Sequence, residues 1–179
     1  MSKQDVQLIE KGYPTPEAAE GRRSIQYRFK ELASEYRNYH FNNDANGHSL
    51  AQRLEYWKAS RKIIQKYPLT GVGTGDVPNA FQDMYDEMNS NLAKEWRLRA
   101  HNQYLSFGVA FGWPGILFFI FVLLFSVRHA FQHQNYIYLA FLIIALGSFF
   151  NEDTLETQAG VTFFAFLNSV FLWMDSKKI

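Results

Sequence analysis

The stretch Arg99-Ala100-His101-Asn102-Gln103-Tyr104-Leu105 marks where the chain changes character, and the 23 residues from Leu105 to Val127 carry no charge. At about 1.5 Å per residue, a helix of that length matches a hydrocarbon core of roughly 30 Å. A soluble-core reading fails for this run, because it has no polar face to present to water. Gly112-Trp113-Pro114-Gly115 interrupts it, which predicts a short interfacial helix and then a spanning helix opening at Pro114. Asn135–Phe150 and Thr157–Trp173 are also uncharged, at 16 and 17 residues. They suit an antiparallel pair, with the core of a soluble protein as the competing reading. The expected fold class is therefore all-α and integral to a membrane. Three transmembrane helices, at about 105–127, 135–150 and 157–174, follow a helical domain of residues 21–104 and a loosely ordered lead-in of residues 1–20.

Composition narrows the function classes. A formal net charge of +1 over 179 residues argues against a nucleic-acid binder, whose face would carry a strong basic excess. The chain has no Cys, so disulfides, thiolate metal sites and Cys nucleophiles are excluded. Met1-Ser2-Lys3-Gln4-Asp5 is not followed by an apolar core, so it is not a signal peptide.

Before the membrane half, residues from Arg22 to about Tyr39 read as a helix, broken by Asn42-Asn43-Asp44-Ala45-Asn46-Gly47. Ser49-Leu50-Ala51-Gln52 is a capping box and opens a helix to about Lys66, ahead of Pro68. Leu50, Leu54, Tyr56, Trp57, Ile63, Ile64 and Tyr67 make one apolar arc on it, with Arg53 near the middle and Arg61 at the edge. A guanidinium on an apolar face must find an anion. That anion is either an internal carboxylate (Glu55, Asp76 or another) or a phosphate, which the planar fork suits. Gly71-Val72-Gly73-Thr74-Gly75-Asp76 resembles a dinucleotide loop only superficially, since it follows a helix rather than a strand. A flexible turn is the expectation. Asn79 to about Arg97 is expected to be helical, with Asp83, Asp86 and Glu87 as a solvated face rather than a metal site.

Three spans place the soluble half and the acidic loop Asn151-Glu152-Asp153-Thr154-Leu155-Glu156 on one side. The Arg128–Gln134 hairpin and Lys177-Lys178 lie on the other, which the positive-inside rule makes cytoplasmic. A histidine flanked by arginines at the water edge of a span can combine proton transfer with anion binding. The competing reading of His101 is an interfacial residue capping its helix.

Three stretches together resemble the C-terminal part of the O-antigen ligase family of bacterial inner-membrane glycosyltransferases. They are Ser49-x3-Arg53-x3-Trp57 with Pro68-Leu69-Thr70-Gly71-Val72-Gly73; His101-Asn102-x-Tyr104-Leu105 with Gly112-x2-Gly115; and the late apolar pair. The resemblance covers roughly residues 45 to 175. It implies a periplasmic loop carrying an essential Arg and His, here Arg53 and His101. It also implies transfer of a glycan from undecaprenyl pyrophosphate to an acceptor, commonly the lipid A core, in lipopolysaccharide biosynthesis. Arg99, Arg97, Asn102 and Arg61 are the expected substrate-binding residues, with no cofactor and no metal. The same resemblance admits an O-antigen polymerase or a protein O-oligosaccharyltransferase. A different class is a non-catalytic, membrane-anchored module that binds anions or glycan. Family members carry many helices before the loop, so the chain reads as a C-terminal fragment, a truncated product or one half of a split enzyme. The missing N-terminal membrane helices are then its partner.

Overall fold

A computed structural model describes residues 25–42 and 45–175, and every regular element among them is helical. The lead-in (residues 1–20) and Lys177-Lys178 lie outside the described residues. The chain divides into two compact units between Ala51 and Gln52. In the first, α1 (Ile25–Asn42) is followed by a turn in which the His48 amide donates to the Ala45 carbonyl at 3.3 Å. The amide of Leu50 donates to the Glu35 carboxylate at 3.3 Å.

Helix α2 (Ser49–Lys66) begins at the expected capping residue. In the second unit its buried face carries Tyr56, Ala59, Ile63 and Ile64, and Leu54 and Trp57 are half-buried. Helix α3 (Val77–Glu87) holds Pro78 in its first turn, where no amide hydrogen is required, and buries Phe81, Met84 and Tyr85. It stops ten residues short of the expected Arg97. Asn89 takes a left-handed conformation (φ 49°), and the Ser90 amide donates to the Tyr85 carbonyl, closing the helix. An irregular segment with a 3₁₀ turn at Lys94–Trp96 leads on to His101.

Helix α4 (Gln103–Gln132) is broken at Gly112, whose φ of 69° and ψ of −161° are not helical. The expected interruption is thus real, and the loop after α2 repairs it. Pro114 has no amide hydrogen to give the Ala110 carbonyl four residues earlier. The Gly73 amide donates there instead, at 2.9 Å. Val109 loses the Trp113 amide, which turns to the Pro68 carbonyl at 2.8 Å, and accepts from the Val72 amide at 2.9 Å. A Cβ on Gly71 would lie 2.3 Å from the Ala110 carbonyl carbon, so only glycine admits this approach. Gly71-Val72-Gly73 is therefore a backbone clip on a broken helix.

The chain turns at Gln134 and Asn135, where the Asn135 side chain accepts from the Tyr138 amide and caps α5 (Tyr136–Asn151). The expected Arg128–Gln134 hairpin is shorter than read, because α4 runs on to Gln132. A 3₁₀ turn (Thr154–Glu156) leads into α6 (Gln158–Asp175). Phe119 and Leu123 of α4 pack on Ala145 and Phe149 of α5, with Phe164 of α6 against them. Farther along, Ala130, Tyr138 and Leu142 form a second cluster, and the Tyr138 hydroxyl donates to Asn168 across α5 and α6 at 2.6 Å. Among the described residues one helix, α4, is long and apolar enough to cross a membrane, and the apolar α5 and α6 are shorter.

Candidate functional site

Two elements set the site. The irregular segment before α4 carries Arg99 and His101, and the short loop after α5 carries Glu152, Asp153 and Glu156. Asn102 caps α4 by accepting from the Leu105 amide at 3.1 Å, while its Nδ2 donates to the Phe150 carbonyl at 2.9 Å. Its amide group is thus consumed in holding the two segments together. Gln103, fully buried, adds to the tie by accepting from the Leu155 amide at 2.6 Å. Trp57 of α2 donates to the Ala100 carbonyl at 3.1 Å and meets the Phe150 ring edge-on at 5.6 Å. Three elements distant in sequence are therefore fixed around one point.

His101 stands immediately before that helix cap with φ of 45°, a left-handed conformation uncommon for a residue with a Cβ. Such a conformation persists only where the surroundings impose it. Its ring lies 5.7 Å from the Tyr56 ring. Nδ1 is 3.0 Å from a Glu152 carboxylate oxygen and 3.9 Å from Asp153. In the neutral ring, a carboxylate facing Nδ1 favours the proton on that atom and leaves the lone pair on Nε2. Asn102, rather than His101, makes the cap.

Arg53 is brought to the same point. It donates to the Asn151 side chain, and its Nη2 pairs with Glu152 at 3.1 Å. Arg99 pairs with the buried Asp153 at 2.6 Å and stands 3.9 Å from Glu156. Glu152 therefore sits between Arg53 and His101, and Asp153 between Arg99 and His101. Tyr56, whose ring meets that of His101, has its phenol pushed above the ordinary tyrosine range by burial, with Arg53 opposing. Among the described residues its buried hydroxyl has no hydrogen-bond partner.

The remaining expected residues are placed differently. Arg97 pairs with Asp86, donates from Nε to the Leu92 carbonyl at 3.1 Å, and lies over the Tyr85 ring at 5.9 Å. It lines a cavity of about 660 Å³ shared with Arg99, His101, Glu156 and the rings of Phe81, Phe107 and Phe111. Arg61 is exposed and does not join the cluster. Eight residues beyond Arg53, it lies about 12 Å farther along α2 and about 80° round the helix. Asp83, Asp86 and Glu87 form the solvated face expected, Asp86 paired with Arg97 and Glu87 with Lys66 at 2.7 Å.

Residue-by-residue reading missed Glu152, Asp153 and Glu156. The signal was topological: α4 and α5 run out and back, which brings the acidic loop back to His101. His101, Glu152 and Asp153 place three potential donor atoms within 4.8 Å of one another, a grouping not visible along the chain. Arg53 and Arg99 already supply the positive charge those carboxylates require.

Residues 19–120, more than half of the chain, match the family model for the O-antigen ligase. No curated protein and no solved structure matches the chain. The matched segment contains Arg53, the α2 clip on α4, Arg99 and His101, and it ends inside the long apolar helix. The chain belongs to the O-antigen ligase family, an integral inner-membrane family with a glycosyltransferase-type function in lipopolysaccharide biosynthesis.

Proposed function

We propose that the Arg53–Arg99–His101 cluster serves transfer of a glycan from an undecaprenyl-pyrophosphate carrier to a hydroxyl acceptor, with the lipid A core as the acceptor of the ligase reaction. The observation that carries this reading is the convergence of two guanidinium groups and one imidazole beside the first turn of α4, next to a cavity. Nε2 of His101 takes the proton from the acceptor hydroxyl as its oxygen attacks the anomeric carbon. The bond from that carbon to the carrier's diphosphate breaks on the opposite face. Arg53 and Arg99 then hold the charge that gathers on the departing diphosphate. Asp153, buried against Arg99, keeps that guanidinium in place. Transfer is inverting and needs neither metal nor cofactor.

In this reading α4, α5 and α6 all span the inner membrane, and the half before His101 lies in the periplasm. Support comes from the out-and-back path of α4 and α5, which returns Asn151 and Glu152 to Arg53 and His101. The test is glycan transfer in membranes containing the protein after His101→Ala or Arg53→Ala. Each change is expected to lower transfer at least about 100-fold. Transfer that survives both contradicts the assignment.

A further inference from the structure

The cations proposed to grip a diphosphate are already occupied by the chain's own carboxylates. Arg53 and His101 both bond to Glu152, and Arg99 forms an ion pair with Asp153, with Glu156 near by. Two formally positive guanidinium groups thus face three formally negative carboxylates. A diphosphate arriving beside them would meet no net attraction, and the arginine donors it needs are directed elsewhere. Like charges held at a few ångströms repel strongly wherever water is partly excluded.

The carboxylates differ in how freely they can leave. The Asp153 side chain is 6 % exposed and sits behind Arg99, whereas the Glu152 side chain is 51 % exposed. Glu152 follows the last turn of α5 in extended backbone (φ −145°, ψ 156°), with its amide fixed to the Ser148 carbonyl at 2.8 Å. Rotation of its side chain alone frees Nη2 of Arg53 and Nδ1 of His101 without disturbing the helix, while Nη1 of Arg53 stays on the Asn151 side chain. Asp153 cannot move without unseating Arg99.

We infer that Glu152 is an internal stand-in for the ligand's phosphate, holding Arg53 and His101 in the empty site and leaving when a diphosphate takes its place. This rests on the diphosphate reading above. The exchange keeps Arg53 and the His101 ring oriented between turnovers, and the guanidinium compensated. It also sets a threshold: only an anion that outcompetes a tethered carboxylate, as a multiply charged diphosphate does and a single carboxylate does not, enters the site. Asp153 and Glu152 therefore have opposite effects on binding although they are neighbours in sequence.

The test uses the full chain in lipid nanodiscs, with inorganic pyrophosphate as probe and affinity measured by calorimetry. Glu152→Gln, which keeps the shape and removes the charge, is expected to tighten binding about 3- to 10-fold, the range for one partly exposed charge pair and one hydrogen bond. Asp153→Asn is expected to weaken it, and Arg53→Ala to abolish it. Pyrophosphate binding seen only in the Glu152→Gln protein also supports the exchange. Wild-type binding that is lost in Arg53→Ala but unchanged or weaker in Glu152→Gln overturns the exchange and leaves the diphosphate reading standing. If neither wild type nor Glu152→Gln binds pyrophosphate, the diphosphate reading fails and the exchange fails with it.

Discussion

Arg53 on α2 and Glu152 after α5 form an ion pair at 3.1 Å across 99 positions of sequence. That contact closes a ring of elements around His101: α2, the segment before α4, and the loop that α5 returns from the far end of α4. Glu152 is not conspicuous alone. The pair shows what the apolar hairpin of α4 and α5 does: it delivers carboxylates to the cations of α2 and of the segment before α4.

Removing the buried member of the second pair tests how the site is held. Asp153→Asn leaves Arg99 without its closest partner, at the edge of a buried position. Because Arg99 is itself partly exposed, the expected loss is about 1–2 kcal/mol rather than the larger cost of a fully buried pair. Thermal unfolding in nanodiscs measures it.

The two tight glycines of the clip are expected to differ from their open neighbour. Gly71→Ala and Gly112→Ala would drive a Cβ to within 2.3 Å and 2.5 Å of backbone atoms of Ala110 and Pro68, at positive φ. Each should cost more than about 2 kcal/mol, since backbone must shift as well as strain. Gly73, also at positive φ, has open space around it, so Gly73→Ala should cost about 1 kcal/mol from conformation alone. Equal losses at all three positions in chemical denaturation would contradict the clip.

Asn102 separates a structural role from a substrate-binding one. Asn102→Ser keeps an oxygen that can accept from the Leu105 amide but loses the donation to Phe150, and Asn102→Ala loses both. Stability is expected to fall by about 1 kcal/mol more in Asn102→Ala than in Asn102→Ser. The affinity for pyrophosphate should follow stability in the two variants. A loss of affinity without loss of stability would return Asn102 to the ligand.

Tyr85 gives an alkaline signature. Its hydroxyl donates to the Leu98 carbonyl at 2.7 Å, and burial pushes the phenol well above the ordinary tyrosine value of 10.0, with Arg97 opposing. The folded form holds the proton more tightly than the unfolded one. The associated stability is therefore complete below pH 10 and declines as pH rises above it. In Tyr85→Phe that decline is expected to shrink, at a cost of about 1 kcal/mol at neutral pH for the lost hydrogen bond. Denaturation curves at pH 7 and pH 10.5 compare the two proteins.

The helical character of the chain was legible from apolar period and length. So was the break in the long helix, since Gly112 and Pro114 are backbone signals that hold in any surroundings. The helix expected from Asn79 to Arg97 was too long, because apolar residues such as Leu92 and Trp96 continue the period past a chain reversal. The reversal is set by Asn89 in a left-handed turn and by Ser90 donating to Glu55 at 2.9 Å, a tertiary contact that periodicity does not contain. At the site, Arg53 and His101 could be singled out because a charge on an apolar arc and a histidine at a lipid edge each need explaining. Their partners could not, since an acidic loop looks like any solvated loop until two helices return it to the start. Arg61 and Arg97 show the converse. The same residue type close by in sequence is turned to water in one case and spent on Asp86 in the other.

The most direct measurement is a double-mutant cycle on glycan transfer, with Arg53→Ala, His101→Ala and the two combined. If both side chains act in one transition state, the double variant should be little slower than the slower single one, a coupling above about 1 kcal/mol. Losses that add to within about 0.5 kcal/mol would mean that the two residues act independently, and would contradict a shared site.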